Sequence, residues 1–284
     1  MGQRVTHWWT RRGLVVTIAL VGHGLAVPLA GTAGQTDRER AGLRGPAQTV
    51  SRGGFSEAPF GVSEGGRTVS TYDLQGNETE TAYYNPPAGG GSLFQRAVTT
   101  YDAQARKTQT ALYERDGSLR YTIFYTYDPQ GLLREQISCD AQGCFDKVTY
   151  QYDAQENLRE EIAYSVDGAS IRSRFVYTYD ARGHRIETTT YDAHDDGFGH
   201  EWKTVETYNP QGDVSERTTY FTRKAGDPSA EEEQEIPSPS KQVYTYEYDA
   251  RGNWLKQTLF QCEPTCRQLS VTTRTLTYYE EGKK

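Results

Sequence analysis

Apolar and polar residues alternate with a period of two along most of the chain after residue 66. In the run Tyr125-Thr126-Tyr127-Asp128-Pro129-Gln130-Gly131, a strand-like alternation stops at Asp128 and resumes after Gly131. Leu133, Glu135 and Ile137 then fall on one face, and Arg134, Gln136 and Ser138 on the other. Leu158, Glu160, Ile162 and Tyr164 repeat the pattern, as do Val214, Glu216, Thr218 and Tyr220. Period-two alternation in Tyr-, Thr- and Val-rich runs predicts β-strands. Beyond the N-terminus no apolar stretch has a helical period, so the class is all-β.

The alternation is punctuated by a repeated turn. Tyr127, Asp128 and Gly131 recur as Tyr152-Asp153, as Tyr179, Asp180 and Gly183, and as Tyr248, Asp249 and Gly252. Weaker copies are Tyr72, Asp73 and Gly76, then Tyr101-Asp102, then Tyr208, Asn209 and Gly212. The tyrosines are spaced by 29, 26, 25, 27, 29 and 40 residues, an interval that marks a repeat architecture. Asp can bond the backbone two residues on, and Gly permits positive φ. A second turn signal ends each outgoing strand, at Asp116-Gly117, Asp140 to Gly143, Asp167-Gly168 and Asp196-Gly197. One repeat is therefore an antiparallel hairpin of about 25 residues. The predicted fold is a tandem array of such hairpins in an elongated, twisted or curled sheet.

The chain divides into three parts. Arg4, Arg11 and Arg12 precede an apolar run from Leu14 to Leu29 and the small residues Gly31-Thr32-Ala33, which makes residues 1–33 an export signal of Sec or twin-arginine type. The run is too interrupted for a membrane span, and none is expected after cleavage. Residues 34–66 lack periodicity and read as a disordered linker. The repeat domain takes 67–284, with an acidic, Pro-containing loop at about 223–242 that accounts for the longest interval.

Export fixes the charge and the redox chemistry. Without residues 1–33 the chain keeps 28 Lys+Arg against 38 Asp+Glu, a balance of −10. An acidic chain without a basic stripe is a poor partner for nucleic acid. Cys139 and Cys144 flank one hairpin end, and Cys262 and Cys266 another. In an exported protein each pair is expected to bridge locally, with Cα atoms about 4.4–6.8 Å apart.

Catalytic motifs are absent: there is no Gly-x-Ser-x-Gly elbow, His-Glu-x-x-His pair or phosphate loop, and no cofactor is implied. The densest His/Asp cluster, His194 to His200, sits where a repeat turn is expected. It would serve a metal-dependent hydrolase only if both imidazoles turned inward. Asn77-Glu78-Thr79 matches a glycosylation sequon. The tyrosine row Tyr244, Tyr246 and Tyr248, with Trp202 and Trp254, offers an aromatic surface for stacking carbohydrate or a cell-surface protein.

Tyr-Asp-x-x-Gly-Asn, as in Tyr248-Asp249-Ala250-Arg251-Gly252-Asn253, resembles the YD-repeat or Rhs-repeat family over roughly residues 67–279. The resemblance implies hairpins coiling into a sheet that, in long members, encloses a C-terminal toxin. Seven repeats are fewer than such a shell needs, and no toxin domain follows them. The expectation is a non-enzymatic, exported binding or scaffold protein at the cell envelope, the alternative a companion subunit of a toxin shell.

Overall fold

The computed structural model describes residues 35–58, 61–87, 90–165, 170–194, 197–223 and 239–280. The expected export signal and most of the expected acidic loop lie outside the described residues.

Among the described residues a single helical turn, α1 (Asp37–Arg40), comes first and is followed by β1 (Ala47–Ala58) and the short β2 (Gly61–Glu64). The repeats then supply β3 (Arg67–Tyr72), β4 (Glu78–Tyr84), β5 (Leu93–Tyr101), β6 (Lys107–Glu114) and β7 (Leu119–Tyr127). Next come β8 (Leu133–Asp140), β9 (Gly143–Tyr152), β10 (Leu158–Tyr164), β11 (Ile171–Tyr179) and β12 (Arg185–His194). The last five are β13 (Gly197–Tyr208), β14 (Val214–Arg223), β15 (Ser240–Tyr248), β16 (Trp254–Cys262) and β17 (Cys266–Tyr278).

Each strand from β3 to β17 pairs antiparallel with the next, as a hairpin array requires. The array does not stay open. β1 pairs with β17 from Ala47↔Tyr278 to Ser56↔Ser270 and with β3 from Thr49↔Thr71 to Arg52↔Thr68. The ring is a closed antiparallel barrel of sixteen strands, with β2 folded back on the far end of β1. This corrects the expected elongated or curled sheet: closure pairs the two end strands of the array, β1 and β17, with each other, so neither is left as a solvated edge. It also corrects the expected linker at 34–66, whose described part supplies the closing strand and a segment across the barrel mouth. Gly54 lets β1 lie close on β17, since a Cβ there would stand 2.2 Å from the Val271 carbonyl oxygen.

The Asp turns form as the sequence predicts. The Asp128 carboxylate accepts the Leu132 N–H at 2.9 Å, and Gly131 stands at φ 88°. Ala105 (φ 58°) and Glu156 (φ 64°) occupy the same left-handed position in the two turns that lack glycine there.

The face assignment after each turn is corrected by a bulge. Thr126 opposes Glu135 but Tyr127 opposes Leu133, so one extra residue sits on the outgoing strand. Leu133 therefore shares the face of Tyr127, opposite to Glu135 and Ile137. Leu158 and Glu160, and Val214 and Glu216, are separated in the same way. Leu158 is 1% exposed and packs with Val148, Tyr150, Ala163 and Tyr177 in one core cluster.

Both cysteine pairs bridge locally, Cys139 with Cys144 and Cys262 with Cys266. Their Cα separations of 3.8 and 3.9 Å fall below the expected window, and each pair sits at directly opposed ladder positions.

Candidate binding lumen

The bulges sort the wall into two faces. One carries Tyr72, Tyr101, Tyr125, Tyr127, Tyr150, Tyr152, Tyr177, Tyr179, Tyr208, Tyr246 and Tyr248, all buried or half-buried. The residues just before the terminal tyrosines, Thr100, Thr126, Gln151, Thr178, Thr207 and Glu247, point the other way and are exposed. The tyrosine face is the lumenal one, because side chains on the concave face of a closed barrel converge and shield one another while those on the convex face splay into solvent.

That segment bonds to turns spread around half the rim. The Arg38 N–H donates to the Gly76 carbonyl at 2.9 Å, and the Asp37 carboxylate accepts the Glu78 N–H and the Tyr101 hydroxyl. On the other side the Arg44 guanidinium donates to the Gln211 carbonyl at 3.0 Å, and the Arg44 main chain is held by Asn253. Between these anchors the main chain runs along the turn end of the barrel, from the β3–β4 turn at Arg38 to the β15–β16 turn at Arg44. Leu43, Ala47, Val50 and Tyr72 pack together beneath this segment, with Leu276 and Tyr278 against them.

Asp37 is the buried charge of this cap, 2% exposed. Burial pushes its carboxyl up, but Lys107, the Tyr101 hydroxyl and Arg40 together outweigh it and hold the carboxyl below its ordinary range. Burial pushes the lumenal tyrosines in the opposite sense to easy ionisation, Tyr125 and Tyr246 each up to about 12. They are neutral hydroxyl-bearing rings at any physiological pH.

The terminal tyrosine of four repeats also closes the rim. Tyr152 donates to the Leu133 carbonyl at 2.9 Å, Tyr179 to that of Leu158 at 2.9 Å, and Tyr208 to that of Arg185 at 2.6 Å. Tyr101 does the same for Glu78 at 2.8 Å. In each case strand pairing has already stopped two residues short, at Glu135↔Thr149, Glu160↔Val176, Glu187↔Val205 and Glu80↔Val98. The hydroxyl thus satisfies a carbonyl that the splayed strands leave without a ladder partner. In the repeat before the last turn Tyr246 takes this task, donating to Val214 at 2.7 Å, and Tyr248 reaches the preceding turn through Asp213 and Asn209.

The four residues expected to form a ligand surface lie on the lumenal face. Trp202 packs on Phe221 with centroids 5.4 Å apart, and Tyr246 lies 6.2 Å from Trp254 and 5.9 Å from Tyr248. Tyr244 stands over the Arg217 guanidinium, whose fork grips the buried Glu206 at 2.7 and 2.9 Å. An open hollow of about 510 Å³ lies between the turns at 128–132 and 153–157, with Tyr150 and Tyr152 in its lining. The His194 and His200 side chains lie outside the described residues, and no metal-ligating group occurs among the described ones.

The outer face carries a feature that strand periodicity alone did not reveal. The seventh residue after the turn Asp or Asn is Glu80, Glu135, Glu160, Glu187 or Glu216. Each is ion-paired across to the next strand, with Arg96, Lys147, Arg174, Lys203 and Lys241. Glu247 and Lys256 add a further pair at 2.7 Å. Because the bulge reverses the face, these acids form a charged belt outside the barrel.

No family model matches the sequence, the YD-repeat resemblance included. No curated protein matches it either. Among solved structures, a porin-like protein from Bacteroides uniformis is similar at TM-score 0.56 and 13% identity, covering 82% of this chain and 99% of that one. A porin-like protein from Bacteroides vulgatus gives TM-score 0.45 at 10% identity, covering 82% of this chain and 98% of that one. The Photorhabdus luminescens Tc holotoxin pore gives TM-score 0.30 at 11% identity, covering 76% of this chain and 15% of that one. The first likeness shows the barrel fold alone; the other two carry no argument.

Proposed function

We propose that the protein is an exported, non-enzymatic binding vessel that works in water at the cell envelope and takes a saccharide into its tyrosine-lined lumen. The observation that carries this reading is the lumenal face itself, which crowds buried and half-buried tyrosine rings with neutral hydroxyls into the barrel. Sugars offer C–H faces that stack on such rings and hydroxyls that exchange hydrogen bonds with them.

The sorting of the wall into two faces argues against insertion in a bilayer. A membrane barrel is apolar outside and polar within, and a Lys or Arg on its lipid face costs about 2–4 kcal/mol at the midplane. Five charged pairs at one height around this wall, each acid three residues into its strand, disfavour burying that band in lipid. A shell subunit would need a free strand to continue the sheet, and β1 and β17 are paired with each other.

Tryptophan fluorescence tests the reading. After removal of residues 1–33 the tryptophans are Trp202 and Trp254, both lumenal. A saturable emission change with a neutral or acidic oligosaccharide is the expected result. Emission that stays flat, with no heat of binding by calorimetry across such a panel, contradicts it.

A further inference from the structure

We propose that Arg52 and Arg274 form an anion subsite in the lumen wall that takes the carboxylate of an acidic sugar; this rests on the reading of the lumen as a saccharide site. The two residues are directly opposed on β1 and β17. Both lie on the lumenal face, in register with the Val50↔Leu276 pair that packs under the mouth segment. Like charges directly opposite on neighbouring strands are destabilising unless something neutralises them.

Nothing in the chain does so among the described residues. Arg274 is 4% exposed; its Nε donates to the Trp254 carbonyl at 3.0 Å, its Cζ stands 3.3 Å from the Trp254 ring centroid, and its buried Nη2 has no partner. Arg52 is half-buried and no acid pairs with it. Asp213 helps Arg274 only through its field, since its own carboxylate accepts the Tyr248 hydroxyl. Two other lumenal arginines are treated differently: Arg217 and Arg185 both pair with Glu206, at 2.7 and 3.9 Å.

A buried guanidinium without a counter-ion is costly, and the cost registers on the group itself. Burial first, and then Arg52, pull Arg274 down to about 9. A carboxylate seated between the two forks would repay that cost with charge-assisted bonds from both. Aromatic rings for the rest of the sugar stand alongside, with Tyr246 next to Trp254. The stacking of Arg274 on Trp254 also makes the subsite visible by fluorescence.

The test titrates a galactose tetrasaccharide and the galacturonate tetrasaccharide of the same linkage into the mature protein and into Arg52→Gln. Arg52→Gln removes the like-charge contact, so it should unfold no earlier than the parent. The acidic ligand is expected to bind at least about tenfold tighter than the neutral one, with the preference lost in Arg52→Gln and the neutral affinity kept. Equal binding of both ligands by the parent, or a preference that survives in Arg52→Gln, overturns the subsite and leaves the lumen reading standing. Binding of neither ligand overturns both.

Discussion

The side-chain amide of Asn253 holds both main-chain groups of Arg44. Its Oδ1 accepts the Arg44 N–H at 2.7 Å, and its Nδ2 donates to the Arg44 carbonyl at 3.0 Å. Nδ2 also donates to the Tyr278 hydroxyl at 2.9 Å, and Asn253 is 1% exposed. A residue at the end of the last repeat turn thereby ties down the N-terminal segment over the lumen. Asn253→Ala strands these groups in a buried setting and is expected to cost about 2–3 kcal/mol. Chemical denaturation measures the loss, and amide exchange should show residues 36–46 opening before the barrel does.

The cap is predicted to respond to acid. The Asp37 carboxyl is held below its ordinary range despite its burial. A depressed folded value means the stabilisation is fully present above the unfolded value, about 3.9. It is lost as pH falls through the folded value. Amide exchange of residues 36–46 should therefore accelerate below about pH 4, while Asp37→Asn should be loose at neutral pH and lose that acid step.

Two turns carry a side chain where the backbone wants none. Ala105→Gly and Glu156→Gly relieve left-handed backbone at φ 58° and 64°, and each is expected to stabilise by about 0.5–1 kcal/mol. Gly131→Ala should destabilise, with open space around its Cβ removing any steric excuse. Thermal midpoints of the three variants decide the point.

Much of this architecture is legible in the residues, and the rest is hidden for definite reasons. The Tyr-Asp spacing locates the turns, the alternation locates the strands, and the cysteines mark two hairpin ends. Closure leaves no such trace, because β1 has no repeat turn and is rich in Gly and Ser. Its role emerges only when β17 arrives beside it. The charged belt was hidden by the bulge after each turn, which moves Glu135 off the face of Leu133. Trp202, Tyr244, Tyr246 and Trp254 were legible as an aromatic group but not as lumenal. Asn253 was legible as a repeat-turn residue but not as the anchor of Arg44, and Arg52, Arg274 and Asp37 gave no signal, since their partners lie on distant strands or are not found among the described residues.

The rim tyrosines make a prediction separable from packing. Tyr152→Phe keeps the ring and removes only the hydroxyl that serves the Leu133 carbonyl. The expected loss is about 1 kcal/mol, and Tyr179→Phe should match it. Additive losses in the double variant would show that each rim contact acts alone; urea titrations of the three proteins supply the comparison.

Closure of the barrel by one chain is the claim on which the lumen depends, and a single cross-link tests it. Thr49 and Thr277 are opposed on β1 and β17 with their hydroxyls hydrogen-bonded, and the native cysteines are already bridged to near neighbours. In Thr49→Cys/Thr277→Cys, oxidation of dilute protein should give a monomer with a bridge between residues 49 and 277, read by mass spectrometry of a non-reduced digest. Free thiols at both positions, or bridges only between chains, would contradict the closed barrel.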